Sequence, residues 1–106
     1  MNSIIFFIAA ALFEIIGCFS FWTWLRLGKS TFLIFPGILS LITFAFLLTK
    51  IDSLFAGRTF AAYGGIYIVT SILWLWIVED QRPDKWDIFG SIFCVFGTLV
   101  IMFGQR

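Results

Sequence analysis

The sequence has no histidine, two cysteines, two prolines, and only seven basic and six acidic side chains. Without histidine the chain lacks the side chain that ordinarily changes charge between pH 5 and 8, and the commonest metal ligand with it. Cys18 and Cys94 lie inside long apolar runs and at no metal-ligand spacing, so they read as small packing residues and not as a disulfide or a metal site. No nucleophile motif and no phosphate-cradling glycine loop is present, so neither an enzyme nor a bound cofactor is expected. With a net charge of +1, no nucleic-acid partner is expected. No basic residue precedes the first apolar run, which continues past Ala9-Ala10-Ala11, and this argues against a cleavable signal.

What the chain does have is apolar surface. Hydrophobic residues make up 61%, the mean hydropathy is +1.06, and there are fifteen Phe and five Trp. This composition fits a bilayer with aromatic anchors at its interfaces, and 1–106 is expected to form one integral membrane domain. Apolar stretches at 3–25, 31–49, 59–78 and 88–104 would be helices of about 25 to 34 Å, against a hydrocarbon core of about 30 Å. The fold expected is all-α, a four-transmembrane-helix bundle. Arg26 to Ser30 forms the first break, with Trp22 and Trp24 as interfacial anchors. The second runs from Lys50 to Arg58 and includes Asp52, Ser53 and Gly57. Glu79 to Asp87 forms a solvated turn in which Pro83 stops one helix and Trp86 anchors the next. Pro36, followed by Gly37 within the second span, predicts a kink or hinge there.

Glu14 stands at the middle of the first run. A charge near the bilayer centre costs roughly 2.5 to 3.5 kcal/mol on insertion scales, so such a residue is expected to face protein, water or a partner. Helical spacing places Ala10, Gly17, Cys18 and Phe21 on its stripe, and the bulky Ile5, Phe6, Leu12, Phe13 and Ile16 on the opposite face. Glu14 is either a site for a proton and a cation or a structural acid hydrogen-bonded between helices.

The third run carries a polar aromatic stripe. Tyr63 and Tyr67 share a face at i, i+4, and Thr70 and Trp74 continue it. In four spans the first and third helices run in parallel, which sets Thr70 at the depth of Glu14 with Tyr67 and Trp74 on either side. A tyrosine hydroxyl can donate to a carboxylate and aromatic faces can hold an organic cation; the alternative is that these rings fill gaps between helices. Gly64-Gly65 would permit a bend usable as a gate.

In the fourth run Gly90, Cys94, Gly97 and Gly104 form a smooth stripe, with glycine at every seventh position. Such a face lets another backbone approach closely, either as a self-association seam or against the chain's own helices. By side, Arg26, Lys29, Arg82 and Lys85 oppose Lys50, Arg58 and Arg106. That near balance gives no orientation by the positive-inside rule and allows two oppositely inserted copies to pair about an axis in the membrane plane.

Phe13-Glu14-Ile15-Ile16-Gly17-Cys18-Phe19, together with Gly57-Arg58 and Ala61-Ala62-Tyr63-Gly64-Gly65-Ile66-Tyr67, resembles the signatures of the YnfA-like family of small bacterial inner-membrane proteins. That family is similar in turn to the small multidrug resistance transporters. The resemblance implies a proton and substrate role for Glu14, a site lined by Tyr63 and Tyr67, a bend at Gly64 and Gly65, and a dimer joined through Gly90 and Gly97. Multidrug members carry a Trp-x-Gly pattern where this chain has Tyr63-Gly64-Gly65, which leaves guanidinium-like and amine compounds beside bulky aromatic drugs as substrates. The function expected is proton-coupled export of small cationic compounds by an antiparallel, dual-topology homodimer in the inner membrane, in contact with membrane lipid. The alternative is a non-transporting membrane scaffold or accessory subunit in which Glu14 is structural.

Overall fold

The computed structural model describes residues 2–51 and 55–104; Asp52 and Ser53 of the second loop, and Arg106, lie outside the described residues. The elements are α1 (Asn2–Leu25), a 3-10 turn (Thr31–Leu33), α2 (Ile34–Leu48), α3 (Ala56–Ile77) and α4 (Lys85–Phe103), with no strand among the described residues. Ile4–Leu25, Thr31–Leu48, Ala56–Ile77 and Lys85–Phe103 are each long and apolar enough to cross a membrane. In lipid only a helix or a closed barrel satisfies every backbone group internally, so runs of this composition fold as helices. Their large side chains remain open, Phe32 at 77% and Phe93 at 76% exposure, as expected where lipid is the solvent. The chain divides into two compact units, 1–51 and 52–106, each a helical hairpin.

In the first hairpin, α1 ends where Gly28 takes a left-handed φ of 68°. Arg26 N–H and Leu27 N–H donate to the Trp22 carbonyl at 2.8 and 3.3 Å, and Lys29 N–H donates to Thr23 at 3.2 Å. Phe32 N–H then donates to Ser30 Oγ at 3.1 Å, capping the 3-10 turn that leads into α2. Pro36 is therefore the third residue of α2, in its first turn and not in the helix interior. A first-turn residue has no partner for its N–H within the helix, so proline is tolerated there without breaking the ladder. The two helices meet closely at glycine: a Cβ on Gly17 would lie 2.7 Å from Leu41 Cγ and 3.0 Å from the Gly37 carbonyl, and one on Gly37 would lie 2.9 Å from the Phe21 ring.

The second hairpin ends its first helix with the same bonding pattern. Val78 N–H and Glu79 N–H donate to the Trp74 carbonyl at 2.8 and 3.3 Å, and Gln81 N–H donates to Leu75 at 3.0 Å. Asp80, at φ 57°, takes the left-handed position. The helix has thus stopped before Pro83 is reached. Asp84 is the N-cap of α4: its Oδ1 accepts from Asp87 N–H at 2.9 Å, while Asp87 Oδ2 accepts from Asp84 N–H at 3.1 Å. This reciprocal box starts α4 at Lys85 and not at 88, moving Trp86 and Asp87 out of the expected turn and into the first helical turn. Similarly, α3 starts at Ala56 and not at 59, and buried Thr59 donates its hydroxyl to the Phe55 carbonyl at 3.1 Å. Between α3 and α4 the close contact is Gly65 with Thr98. A Cβ on Gly65 would collide with Thr98 Oγ1 and lie 2.9 Å from the Cys94 carbonyl.

Candidate functional site

Glu14 sits on the buried face of α1. Phe7, Ala10, Ala11, Ile15 and Gly17 are buried, and Glu14, one turn beyond Ala10 and Ala11, is half-buried among them. Cys18, one turn further on, is exposed. The other side of α1 is open as the pattern implies: Ile5, Leu12, Phe13 and Ile16 are exposed and Phe6 is half-buried. The small residues of the Glu14 stripe are more than spacers, because the room beside Gly17 is taken by Leu41 and the Gly37 carbonyl of α2. Arg58, Lys85 and Asp87 occupy the first turns of their helices, whereas Glu14 is the one Asp, Glu, Lys or Arg in a helix interior among the described residues.

The aromatic stripe belongs to the second hairpin. Tyr63 is buried and its ring meets that of Tyr67 edge to face, with centroids 5.9 Å apart at 85°. Tyr67, Thr70 and Trp74 are half-buried further along the same face, and Thr70 Oγ1 donates to the Ile66 carbonyl at 2.8 Å. That bond uses the Thr70 proton and leaves its oxygen as an acceptor. Of the two glycines expected to bend α3, Gly64 has nothing within 4 Å of a Cβ position and Gly65 is occupied by Thr98, and α3 continues as α-helix through both.

The stripe on α4 divides into two. Gly90 and Gly97 are exposed, with nothing within 4 Å of a Cβ position. Cys94 is half-buried and its carbonyl approaches Gly65. Gly104 is the C-cap, in an extended conformation, so the helical part of the stripe spans two glycines and not three. Thr98, which flanks the stripe in the sequence pattern, is the buried residue that holds α4 on α3.

A groove of about 320 Å³ lies between α3 and α4, lined by Val69, Ile72, Leu73, Ile88, Ser91, Ile92 and Val95. Sequence reading does not anticipate it. The Asp84-x-x-Asp87 spacing is visible in the sequence and marks the earlier start of α4, but no spacing on either helix marks the groove itself.

Cations mark the helix ends. Arg26 lies 4.6 Å over the Trp22 ring, Lys50 4.8 Å over Phe46, Arg58 5.8 Å over Phe55 and Lys85 5.1 Å over Trp86. Among the described residues no group of three or more His, Cys, Asp or Glu is placed to hold a metal ion.

An all-helical chain with four apolar helices of spanning length and one acid in mid-helix is a multi-pass membrane protein. Residues 1–106 match the family model described as "Uncharacterised BCR, YnfA/UPF0060 family", and the chain belongs to that family. No solved structure matches it.

Proposed function

We propose that the protein is a proton-coupled exporter of small cationic compounds in the inner, or plasma, membrane, working by alternating access as an antiparallel homodimer. The observation that carries this reading is Glu14, half-buried at mid-length of an apolar helix. A carboxylate at that depth is costly unless it has a use, and holding a cation or a proton in turn is such a use. Cation and proton compete for the same carboxyl group. When protons bind they displace the substrate, and when they leave on the opposite side the next cation enters. Competition for one acid pair is enough to couple the two movements in opposite directions.

A residue at mid-depth stays at mid-depth when a copy is inverted, so two Glu14 side chains can serve one central site. The balance of Lys and Arg on the two sides supports insertion both ways. The open faces of Gly90 and Gly97 support a seam between copies, since nothing within 4 Å fills them. Tyr63, Tyr67, Thr70 and Trp74 supply aromatic faces and hydroxyl oxygens suited to an organic cation. None of these roles requires a cofactor, a metal or an enzymatic step.

The test is electrical. Purified protein in liposomes is screened for currents against guanidinium, amine and quaternary ammonium compounds. Substrate-dependent currents that vanish in Glu14→Gln support the exporter. Silence across the panel from a well-folded sample supports the scaffold, with Glu14 as a structural hydrogen-bond acceptor. A reporter fused to the C-terminus is expected on both sides of the membrane, and adding two Lys to the first loop should move it to one.

A further inference from the structure

The groove between α3 and α4 changes character along its length in an ordered way. At the loop end stand Glu79, Asp80, Arg82, Asp84, Lys85 and Asp87, four carboxylates against two cations. The capping box uses Oδ1 of Asp84 and Oδ2 of Asp87, which leaves one further oxygen on each carboxylate outside it. One turn into α4, about 6 Å deeper, Ser91 follows Asp87 at i+4 and lines the groove. Beyond Ser91 the walls are aliphatic: Ile92 and Val95 on α4, Val69, Ile72 and Leu73 on α3.

Ser91, like Thr23 on α1, departs from the habit of the other helical hydroxyls. Ser20, Thr43, Thr59 and Thr70 each turn the hydroxyl back to the carbonyl four residues earlier, at 2.8 to 3.1 Å. Ser91 Oγ is shielded from solvent and has no hydrogen-bond partner. A hydroxyl left so in an apolar groove is unfavourable until something bonds to it.

We infer that the groove binds one phospholipid of the surrounding bilayer, a zwitterionic lipid with a primary ammonium head group, phosphatidylethanolamine. Charge followed by a hydrogen-bonding group and then by hydrocarbon is the order of such a lipid from head to tail. Its ammonium donates to the outer oxygens of Asp84 and Asp87, its phosphate meets Lys85 or Arg82, Ser91 donates to an ester carbonyl, and an acyl chain fills the aliphatic walls. The excess of carboxylates at the mouth disfavours an anionic lipid, and a choline head offers no N–H to donate. This inference stands independently of the transport reading.

Native mass spectrometry of the full-length protein, exchanged into detergent with equal amounts of phosphatidylethanolamine, phosphatidylglycerol and phosphatidylcholine, tests it. Wild type is expected to retain phosphatidylethanolamine several-fold over the other two. Ser91→Ala removes the hydroxyl without adding bulk to the groove, and should lower that retention about 2- to 10-fold. Val95→Phe fills the groove and should abolish it, while Phe96→Leu, exposed and off the lining, should leave it unchanged. Equal retention of the three lipids, a preference for phosphatidylglycerol, or undiminished retention in Val95→Phe of wild-type helicity would each overturn the inference. So would a lipid-free dimer whose dissociation Val95→Phe accelerates, since a second copy would then occupy the groove. If Val95→Phe does not fold, the head-group preference of wild type and the Ser91→Ala response decide.

Discussion

The two hairpins close their first helices with the same bonds and seat a glycine of that helix against the second, yet they fill the glycine's notch differently. At Gly17 the occupants are the Leu41 side chain and the carbonyl of another glycine, Gly37. At Gly65 they are the β-branched Thr98 and the Cys94 carbonyl. A leucine can move its branch by rotating about two side-chain bonds, whereas a β-branched threonine has one such bond and only two χ1 settings on a helix, so the second contact is the stiffer. The chemistry divides along the same line. The first hairpin carries the mid-helix acid in a setting of alanine and glycine, and the second carries the aromatic stripe and a polar entrance to an apolar groove. The mid-helix charge thus sits on the more adaptable pair of helices.

The largest effect expected in testing this division is at Glu14. Substrate affinity in wild type should rise with pH as protons vacate the carboxyl, and Glu14→Gln should abolish that dependence. Glu14→Asp should retain transport with an altered pH profile, and titrating all three proteins in one detergent makes the comparison. A Gln variant with wild-type pH-dependent binding would remove Glu14 from the coupling role.

The glycine notches come next. Gly65→Ala should destabilise the protein by about 1 to 3 kcal/mol in an unfolding titration, and Gly17→Ala by less, because Leu41 can give way. Gly64→Ala, one residue from Gly65 but facing open space, should be neutral or stabilise by up to about 1 kcal/mol. Equal costs at Gly65 and Gly17 would erase the distinction drawn between the hairpins.

Gly97→Leu should weaken dimerisation measured by cross-linking, while Leu99→Val, off the stripe, should do little. If both variants dimerise like wild type, the face of α4 marked by Gly90 and Gly97 is not the seam. The smallest effect is at the caps. Asp84→Ala removes half of a reciprocal box and should cost about 1 kcal/mol, against less for Ser30→Ala, which caps only a 3-10 turn.

The four helices were legible because an apolar run of spanning length has few other ways to satisfy its backbone in lipid. Their beginnings were not. Hydropathy reads Lys85, Trp86 and Asp87 as loop, although the Asp84 and Asp87 side chains are what close the first turn of α4. The same blindness put Pro36 inside the second helix and not in its first turn, since the 3-10 turn capped by Ser30 counts as apolar sequence without belonging to α2. Gly104 fits the seven-residue spacing and lies beyond the last helical residue, a boundary that spacing alone does not mark. Glu14 stood out because a lone charge in an apolar run is a local feature of the sequence. So was the pairing of Tyr63 with Tyr67, which follows from i, i+4 on one helix. The groove was not legible, because it arises from the volumes of side chains on two helices, and neither helix alone shows a gap.

The cations over aromatic rings bear on motion. Each partner ring belongs to the same helix or its immediate flank: Trp22 for Arg26, Phe46 for Lys50, Phe55 for Arg58 and Trp86 for Lys85. A ring and a cation on one rigid rod travel together when that rod tilts or slides. Each helix therefore carries its own waterline, like the load mark on a hull, and keeps it without reference to its neighbours. Helices so marked each hold their own draught.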